Sequence, residues 1–307
     1  MINKAHIVAI VVTYHPQISA LECLLNVLDE QVDSIVLVDN GSGLYLAEFI
    51  ASRRKPKEFL ITLGANFGVA AAHNAGIEWA RRNGKRYVVL FDQDSVPAPD
   101  MISHLISALH KLTDQGIRVA AVGPSYQDIR NIKHPSFIKA RGFQVNKIEC
   151  RSPFRIVESD VIISSGSLIP LSTLEEVGGP LDELFIDQVD MEWCFRAKSK
   201  GYSVFGVCDA MLHHSLGESP KNFLGRKFVH QSPLRHYYIF RNAVWLLFKK
   251  HTPPSWKFLF IRSIFFRFIV YVCLISPRAA YFKMMTKGIL HGLNGCLGKL
   301  QTKSIKS

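Results

Sequence analysis

The chain has 307 residues, 48% of them hydrophobic, which is enough to bury a sizeable core and excludes a disordered chain. The net charge of +12 is uneven: residues 221–307 carry 16 Lys and Arg and no Asp or Glu, whereas residues 1–220 carry 21 basic and 25 acidic residues. A mildly acidic body with a strongly basic tail asks for a partner of the tail.

The length suits one large α/β domain with an extension, or two smaller domains. Met1–His6 leads directly into the apolar run Ile7–Val12, which is too short to span a bilayer. It has no basic flank or small-residue cleavage site, so no secretory leader is expected. His6–Thr13 is predicted as a strand. Ser19–Glu30 is predicted as a helix, with Leu21, Leu24, Leu25 and Leu28 at helical spacing and Ser19 as N-cap. Ser34–Asp39 is a second strand, ended by Asn40-Gly41-Ser42-Gly43, and Phe59–Thr62 a third. Val69–Arg82 is a helix stopped by Asn83-Gly84, Tyr87–Phe91 a fourth strand, Asp100–Leu112 a helix and Arg118–Val122 a fifth strand. Strands separated by helices imply a mostly parallel sheet covered on both faces. Further on, Val157–Ile163 reads as a strand followed by the small-residue loop Ser164–Ser167, Leu184–Lys200 as a helix, and Tyr202–Val207 as a strand.

The six cysteines, at 23, 150, 194, 208, 273 and 296, form no C-x-x-C pair and no zinc-knuckle spacing. They are expected to be reduced, buried thiols. The tail begins near Pro220, so the expected division is a body of residues 1–220 and an extension of residues 221–307. Trp256–Ile275 is apolar and aromatic but carries Lys257, Arg262 and Arg267. Each central arginine costs about 2.5–3.5 kcal/mol in a spanning helix. A helix lying on an anionic membrane surface fits better; the alternative is a core helix of a C-terminal subdomain. No nucleic-acid partner is expected, because the tail is aromatic and aliphatic rather than simply polar and basic.

In open α/β sheets, ligands bind beyond the carboxyl ends of the strands. Those ends carry Thr13-Tyr14, Asp39-Asn40-Gly41 and Asp92-Gln93-Asp94. In extended backbone Asp92 and Asp94 point to the same side, and a divalent cation relieves their repulsion. Mg²⁺ or Mn²⁺ suits such oxygen ligands and also binds diphosphate. Asp39 is placed to accept from the imide N–H of a pyrimidine; the alternative is a turn former. Asn66-Phe67-Gly68 and Asn74-Ala75-Gly76 flank a small-residue helix start, where backbone approaches a phosphate closely or packs tightly on the sheet. Asp187 and Asp190, at i and i+3, would share a helix face, with Asp190 as a general base or as a helix-capping residue. A helix N-terminus lowers carboxylate basicity, so burial or the charge of Asp187 must offset it. His213-His214 offers an imidazole to a metal.

Together, Val-Val-Thr-Tyr (11–14), Val-Asp-Asn-Gly-Ser (38–42), the two Asn-x-Gly segments (66–68, 74–76) and Phe-Asp-Gln-Asp-Ser (91–95) resemble family 2 glycosyltransferases of the GT-A fold. Phe-Ile-Asp-Gln-Val-Asp-Met-Glu-Trp-Cys-Phe-Arg (185–196), His-His-Ser-Leu-Gly-Glu (213–218) and Arg-His-Tyr-Tyr-Ile-Phe-Arg-Asn (235–242) look most like bacterial rhamnosyltransferases that use dTDP-L-rhamnose. The resemblance covers residues 6–295. It implies a Rossmann-like α/β sheet with helices on both faces. Thr13, Tyr14, Asp39, Asn66, Gly68, Asn74, Asp92 and Gln93 would bind the nucleotide-sugar. Asp39 would meet the base, Asp92 the ribose and diphosphate. Asp94 and His214 would hold Mg²⁺ or Mn²⁺, and Asp190 would be the catalytic base. The family often has Glu-Asp at the base position; here Val189 precedes Asp190 and the extra acid is Asp187.

The implied activity is inverting transfer of a sugar, L-rhamnose first, to a hydroxyl of a glycan acceptor, itself lipid-linked, in cell-surface polysaccharide synthesis. The implied location is the cytoplasmic face of the bacterial inner membrane, held peripherally. One alternative is a UDP-hexose donor on the same fold. Another is an aspartyl-nucleophile phosphatase, since Asp92–Val96 matches D-x-D-x-V, although the first strand holds no acid. A third is a non-catalytic nucleotide-sugar-binding scaffold at the membrane.

Overall fold

The structure is a computed structural model and describes residues 6–128, 136–150, 156–214, 221–223, 226–228 and 231–301. The first third alternates β1 (Ile7–Thr13), α1 (Ile18–Asp29), β2 (Ser34–Asp39), α2 (Leu44–Arg53), β3 (Glu58–Thr62), α3 (Val69–Arg82) and β4 (Tyr87–Asp92). There follow β5 (Ser95–Pro97), α4 (Met101–Asp114), β6 (Val119–Asp128), a hairpin of β7 (Ser136–Arg141) and β8 (Gln144–Glu149), and β9 (Ile156–Ser159). Then come β10 (Leu168–Pro170), α5 (Leu171–Val177), α6 (Val189–Ser199), β11 (Ser203–His214), and the helices α7 (Pro233–Leu247), α8 (Pro254–Leu274) and α9 (Arg278–Leu293).

The sheet runs β3-β2-β1-β4-β10-β6-β11-β5, with β9 alongside β11. The β3–β2–β1–β4 and β6–β11 pairs are parallel, whereas β10 runs antiparallel between β4 and β6. Alternation along each strand builds two separate cores. Ile7, Ala9, Val11, Leu37 and Phe91 face α1 and α4, packing on Leu24, Leu28, Leu105 and Leu109. Val8, Ile10, Val36, Val38 and Leu90 face α3, α5 and α6, packing on Ile77, Leu174 and Trp193. Burial on both faces explains why the strands read as continuous apolar runs. Gly76 brings α3 close to β1: a Cβ there would lie 2.4 Å from Ile10 Cγ2. The tight-packing alternative for this small-residue helix therefore holds at Gly76.

Several expectations need correction. Ser19 lies inside α1, which starts at Ile18 behind Gln17 without a side-chain cap bond. The helix predicted from Leu184 begins only at Val189, because Phe185, Asp187 and Gln188 have φ of 65°, 63° and 56°. Asp187 therefore sits in the turn before α6, not on a helix face with Asp190. α2, β5 and β10 escape the periodicity because they are short or weakly patterned.

The cysteines are not all reduced, buried thiols. Cys150 and Cys208 form a disulfide across a Cα separation of 5.5 Å, joining the end of β8 to β11. Cys23, Cys273 and Cys296 are exposed, and Cys194 alone among the free thiols is buried. The pair is 58 residues apart in sequence, and only folding of the β7–β8 hairpin across the sheet brings it together.

The C-terminal helices share cores with the body. Tyr237 and Tyr238 of α7 pack with Phe185, and Ala243, Leu246, Trp256 and Phe260 pack with Phe195. Trp256 Nε1 donates to Asp160 Oδ2 at 2.9 Å. One face of α8 is thus core, as the subdomain alternative has it. Its other face exposes Ile261, Phe265, Phe266 and Ile269 beside the exposed Arg262. Among the described residues, no helix is long and apolar enough to cross a membrane.

Candidate active site

The carboxyl ends of β1, β2 and β4 meet side by side. Parallel register pairs Thr13 with Asp39 and Val12 with Asp92. Asp39 is 2% exposed, and both its carboxylate oxygens accept from Ser42 N–H, at 2.9 and 3.1 Å. Thr13 Oγ1 reaches Val38 O at 3.4 Å and Asp39 Oδ1 at 3.5 Å. The turn-forming role of Asp39 is therefore present in the structure.

Gln93 and Tyr14 clasp each other: Tyr14 N–H donates to Gln93 Oε1 at 2.7 Å, and Gln93 Nε2 donates to Tyr14 O at 3.3 Å. This fixes the β1 and β4 ends relative to each other. Asn40 Nδ2 donates to Asn66 Oδ1 at 3.2 Å, which also accepts from Gly68 N–H at 3.0 Å. Asn40 Oδ1 accepts from Phe67 N–H at 2.8 Å, so Asn40 and Asn66 together shape the loop into α3. Asn74 Nδ2 donates to Pro180 O at 2.7 Å and Asp182 Oδ1 at 2.6 Å, tethering α3 to the loop after α5.

A cavity of about 1510 Å³ opens beyond β4. Its lining gathers Asp92, Asp94, Asp187 and Asp190 with Arg235, Phe266, Arg267 and Tyr271 of α7 and α8. Thr13, Tyr14, Asp39, Asn66, Gly68, Asn74 and Gln93 lie outside its lining. β4 ends at Asp92, and Gln93-Asp94 form a turn rather than extended backbone, yet both carboxylates still reach the cavity. Two serines missed as site residues support that turn. Ser165 Oγ accepts from Asp92 N–H at 3.2 Å and lies 2.6 Å from Ser95 Oγ. The sequence signalled Ser165 only through the small-residue loop 164–167, and Ser95 only as the last residue of Phe-Asp-Gln-Asp-Ser.

Asp190 sits in the first turn of α6, where its Oδ1 accepts from Met191 N–H at 2.8 Å. Burial pushes its carboxyl up to about 6, the charges of Asp187 and Asp92 add to the rise, and the N–H contact opposes it. The tension between a helix N-terminus and a basic carboxylate is thus resolved in favour of basicity. Burial also raises Asp187, against the opposing charges of Arg235 and Arg267. Arg235 Nη2 lies 3.2 Å from Asp187 Oδ1, a partner that sequence reading did not assign.

A hard divalent cation needs only one or two carboxylates if substrate phosphates and water complete its shell. The Asp92–Asp94 turn fits that demand. Among the described residues, no three His, Cys, Asp or Glu side chains converge as a metal cluster. The side chain of His214 lies outside the described residues.

Parallel strands, an acidic turn after β4 and a buried carboxylate lining the same cavity stand where open α/β sheets bind their ligands. Residues 8–162 match the family model "Glycosyl transferase family 2", and the chain belongs to this family. It is 34% identical over 300 residues to the dTDP-rhamnosyl transferase RfbF of Shigella flexneri, covering 96% of this chain and 97% of that one. Among solved structures, GalNAc-T7 with UDP, GalNAc and Mn²⁺ superposes with a TM-score of 0.60 at 13% identity, over 94% of this chain and 56% of that one. S. aureus TarS 1–349 in complex with UDP-GlcNAc superposes with a TM-score of 0.58 at 15% identity, over 93% and 81%. The fold is GT-A, as the motifs implied, and the protein is a nucleotide-sugar glycosyltransferase.

Proposed function

We propose that the protein transfers L-rhamnose from dTDP-L-rhamnose to a hydroxyl of a glycan acceptor, with inversion, and that Asp190 is the base. The observation that carries the reading is Asp190, buried, raised to about 6 and lining the same cavity as the Asp92–Asp94 turn. Likeness along nearly the whole chain to a dTDP-rhamnosyl transferase supports the donor. Asp39, Thr13 and Tyr14 would hold the pyrimidine nucleoside, Asn66, Gly68 and Gln93 shape its seat, and Asp92 would approach the ribose and diphosphate. Asp94, with His214, would hold Mg²⁺ or Mn²⁺. The chemistry such an ion supplies is neutralisation of charge on the departing diphosphate.

In the reaction, Asp190 takes the proton of the acceptor hydroxyl as that oxygen attacks the anomeric carbon. The bond to the diphosphate oxygen breaks on the opposite face, so configuration inverts. The acid turn and the base sit on separate elements of the same cavity, which suits attack and departure from opposite sides. A donor panel with Mg²⁺ or Mn²⁺ tests this: release of dTDP from dTDP-rhamnose is expected to exceed release of UDP from UDP-hexoses. EDTA, and separately Asp94→Asn, should lower turnover by about 10²-fold. Preference for a UDP-hexose would replace the donor assignment, and full activity in EDTA would remove the metal.

We further propose that residues 221–307 hold the enzyme at an anionic membrane surface, on the cytoplasmic face, near a lipid-linked acceptor. The exposed Ile261, Phe265 and Ile269 with Arg262 support this, as does the absence of any acid in that segment. The protein should float with vesicles containing anionic lipid, and Ile261→Ser/Phe265→Ser should weaken that. Equal flotation with neutral vesicles contradicts the electrostatic part.

A further inference from the structure

The segment 235–242, Arg-His-Tyr-Tyr-Ile-Phe-Arg-Asn, has no role in the chemistry described above. It forms the middle of α7, and Arg235, Tyr238, Arg241 and Asn242 lie on one face at spacings of three, six and seven residues. All four touch one target, the loop 183–187 that leads into Asp190. Arg235 pairs with Asp187 at 3.2 Å. The Tyr238 ring stacks on Phe185, with centroids 4.9 Å apart and 21° between planes. Arg241 Nη2 donates to Leu184 O at 2.8 Å and Glu183 O at 3.2 Å. Asn242 Nδ2 donates to Leu184 O at 3.1 Å, Ile186 O at 2.8 Å and Asp187 O at 2.9 Å.

This loop satisfies itself only in part, with Ile186 N–H donating to Leu184 O at 2.7 Å. Phe185, Asp187 and Gln188 are left-handed without being glycine, and each such residue costs about 1–3 kcal/mol unless its surroundings impose it. The conformation turns the carbonyls of 183, 184, 186 and 187 toward α7, where no helix or strand pairs them. Arg241 and Asn242 are fully buried, and Arg241 meets carbonyl oxygens rather than a carboxylate. Arg241 Nε donates to Asn242 Oδ1 at 2.9 Å, which orients the carboxamide so that its N–H groups face the loop. Arg241 Nη1 also donates to Gly298 O, and Gly298 N–H donates to Glu183 O at 2.7 Å, so the segment after α9 closes the same knot. On the far side, Phe185 O accepts from Val69 N–H at 2.8 Å, the first residue of α3. The base loop is thus held between the donor-side helix and α7.

We infer that Arg241 and Asn242 are positioning residues for Asp190: α7 is the template that imposes the left-handed loop and so aims the base into the cavity. The inference rests on the assignment of Asp190 as base. It gives the C-terminal extension a part in catalysis that does not depend on a membrane.

The test uses the full chain with dTDP-rhamnose and acceptor. Asn242→Ala should lower kcat about 10²-fold with donor Kd unchanged within about twofold, because a misplacement near 1 Å costs that much. The acidic limb of kcat should also move below its wild-type position, as the loosened Asp190 gains water. The charged groups facing it are Asp92 and Asp187, with Arg235 and Arg267 acting on Asp187. Arg241→Lys, which keeps a carbonyl donor, should retain more activity than Arg241→Ala. If Asn242→Ala does not fold, Arg241→Lys carries the test, with kcat down about tenfold and the same shift of the limb. A folded variant with wild-type kcat, or with an unmoved acidic limb, overturns the positioning role. Asp190→Asn run in parallel separates the two readings: an active Asp190→Asn defeats the base assignment whatever α7 does.

Discussion

Replacing Asp190 by Asn should abolish sugar transfer, with kcat falling about 10³-fold while the donor still binds. The substitution removes one proton acceptor and leaves the shape of the first turn of α6 intact. Wild-type turnover by Asp190→Asn would defeat the assignment. The pH dependence follows from the same carboxyl. Burial raises it to about 6, with Asp187 and Asp92 contributing, so wild-type kcat should fall as pH drops through about 6. The sign for stability is opposite. Between the ordinary carboxylate value of 3.8 and about 6, the native state binds the proton that the unfolded chain has released, so stability decreases as pH rises across that window. Above it, the buried charge is carried in full. Asp190→Asn should therefore be more stable than wild type at pH 7, by on the order of 1–3 kcal/mol. A lower Tm for the variant would mean that the carboxylate is held by contacts rather than destabilised by burial.

Gly68→Ala should cost both stability and turnover. Gly68 has φ of +93°, and a Cβ there would lie 2.5 Å from Phe185 O and 2.8 Å from Phe185 Cα. Those atoms are backbone of the loop that leads to Asp190, and that carbonyl already accepts from Val69 N–H. The new methyl has nowhere to go except by pushing the base loop away from α3. A loss of about 3 kcal/mol in urea unfolding is expected, combining left-handed strain with the overlap. A drop of about 10²-fold in kcat should accompany it. Gly84→Ala is the control: its φ is +63°, but nothing lies within 4 Å of the added Cβ. It should show only the backbone penalty of about 1 kcal/mol and wild-type kcat. Equal kcat for Gly68→Ala and wild type would show that the contact between donor loop and base loop does not position Asp190.

Much of the first third of the chain was legible in the residues. β2 and α3 match their predicted bounds, and β1, β3 and β4 differ by a residue at one end. Strands buried on both faces are long apolar runs, and such runs end where polar residues begin. The ends themselves therefore placed Thr13, Asp39 and Asp92 along one edge of the sheet. The second half of the chain was harder. Leu184–Lys200 has helical composition throughout, yet three left-handed residues delay α6 to Val189. Nothing local encodes that delay, because its cause lies on α7, some 55 residues away. The apolar tail was likewise ambiguous: α8 is amphipathic in a different sense, with one apolar face in the core and another exposed.

The sequence by itself determined the family, the parallel sheet, the acidic turn after the fourth strand and the basic, acid-free tail, because each is a short-range pattern of residue types. Only the tertiary structure decided that Asp187 belongs to a turn and pairs with Arg235, that Cys150 meets Cys208, and that Arg241 and Asn242 hold the loop before Asp190. Those are contacts between segments roughly 50 residues apart, where spacing carries no information and only packing brings the groups together. The basicity of Asp190 belongs to the same class, since it comes from the protein atoms that displace water around it.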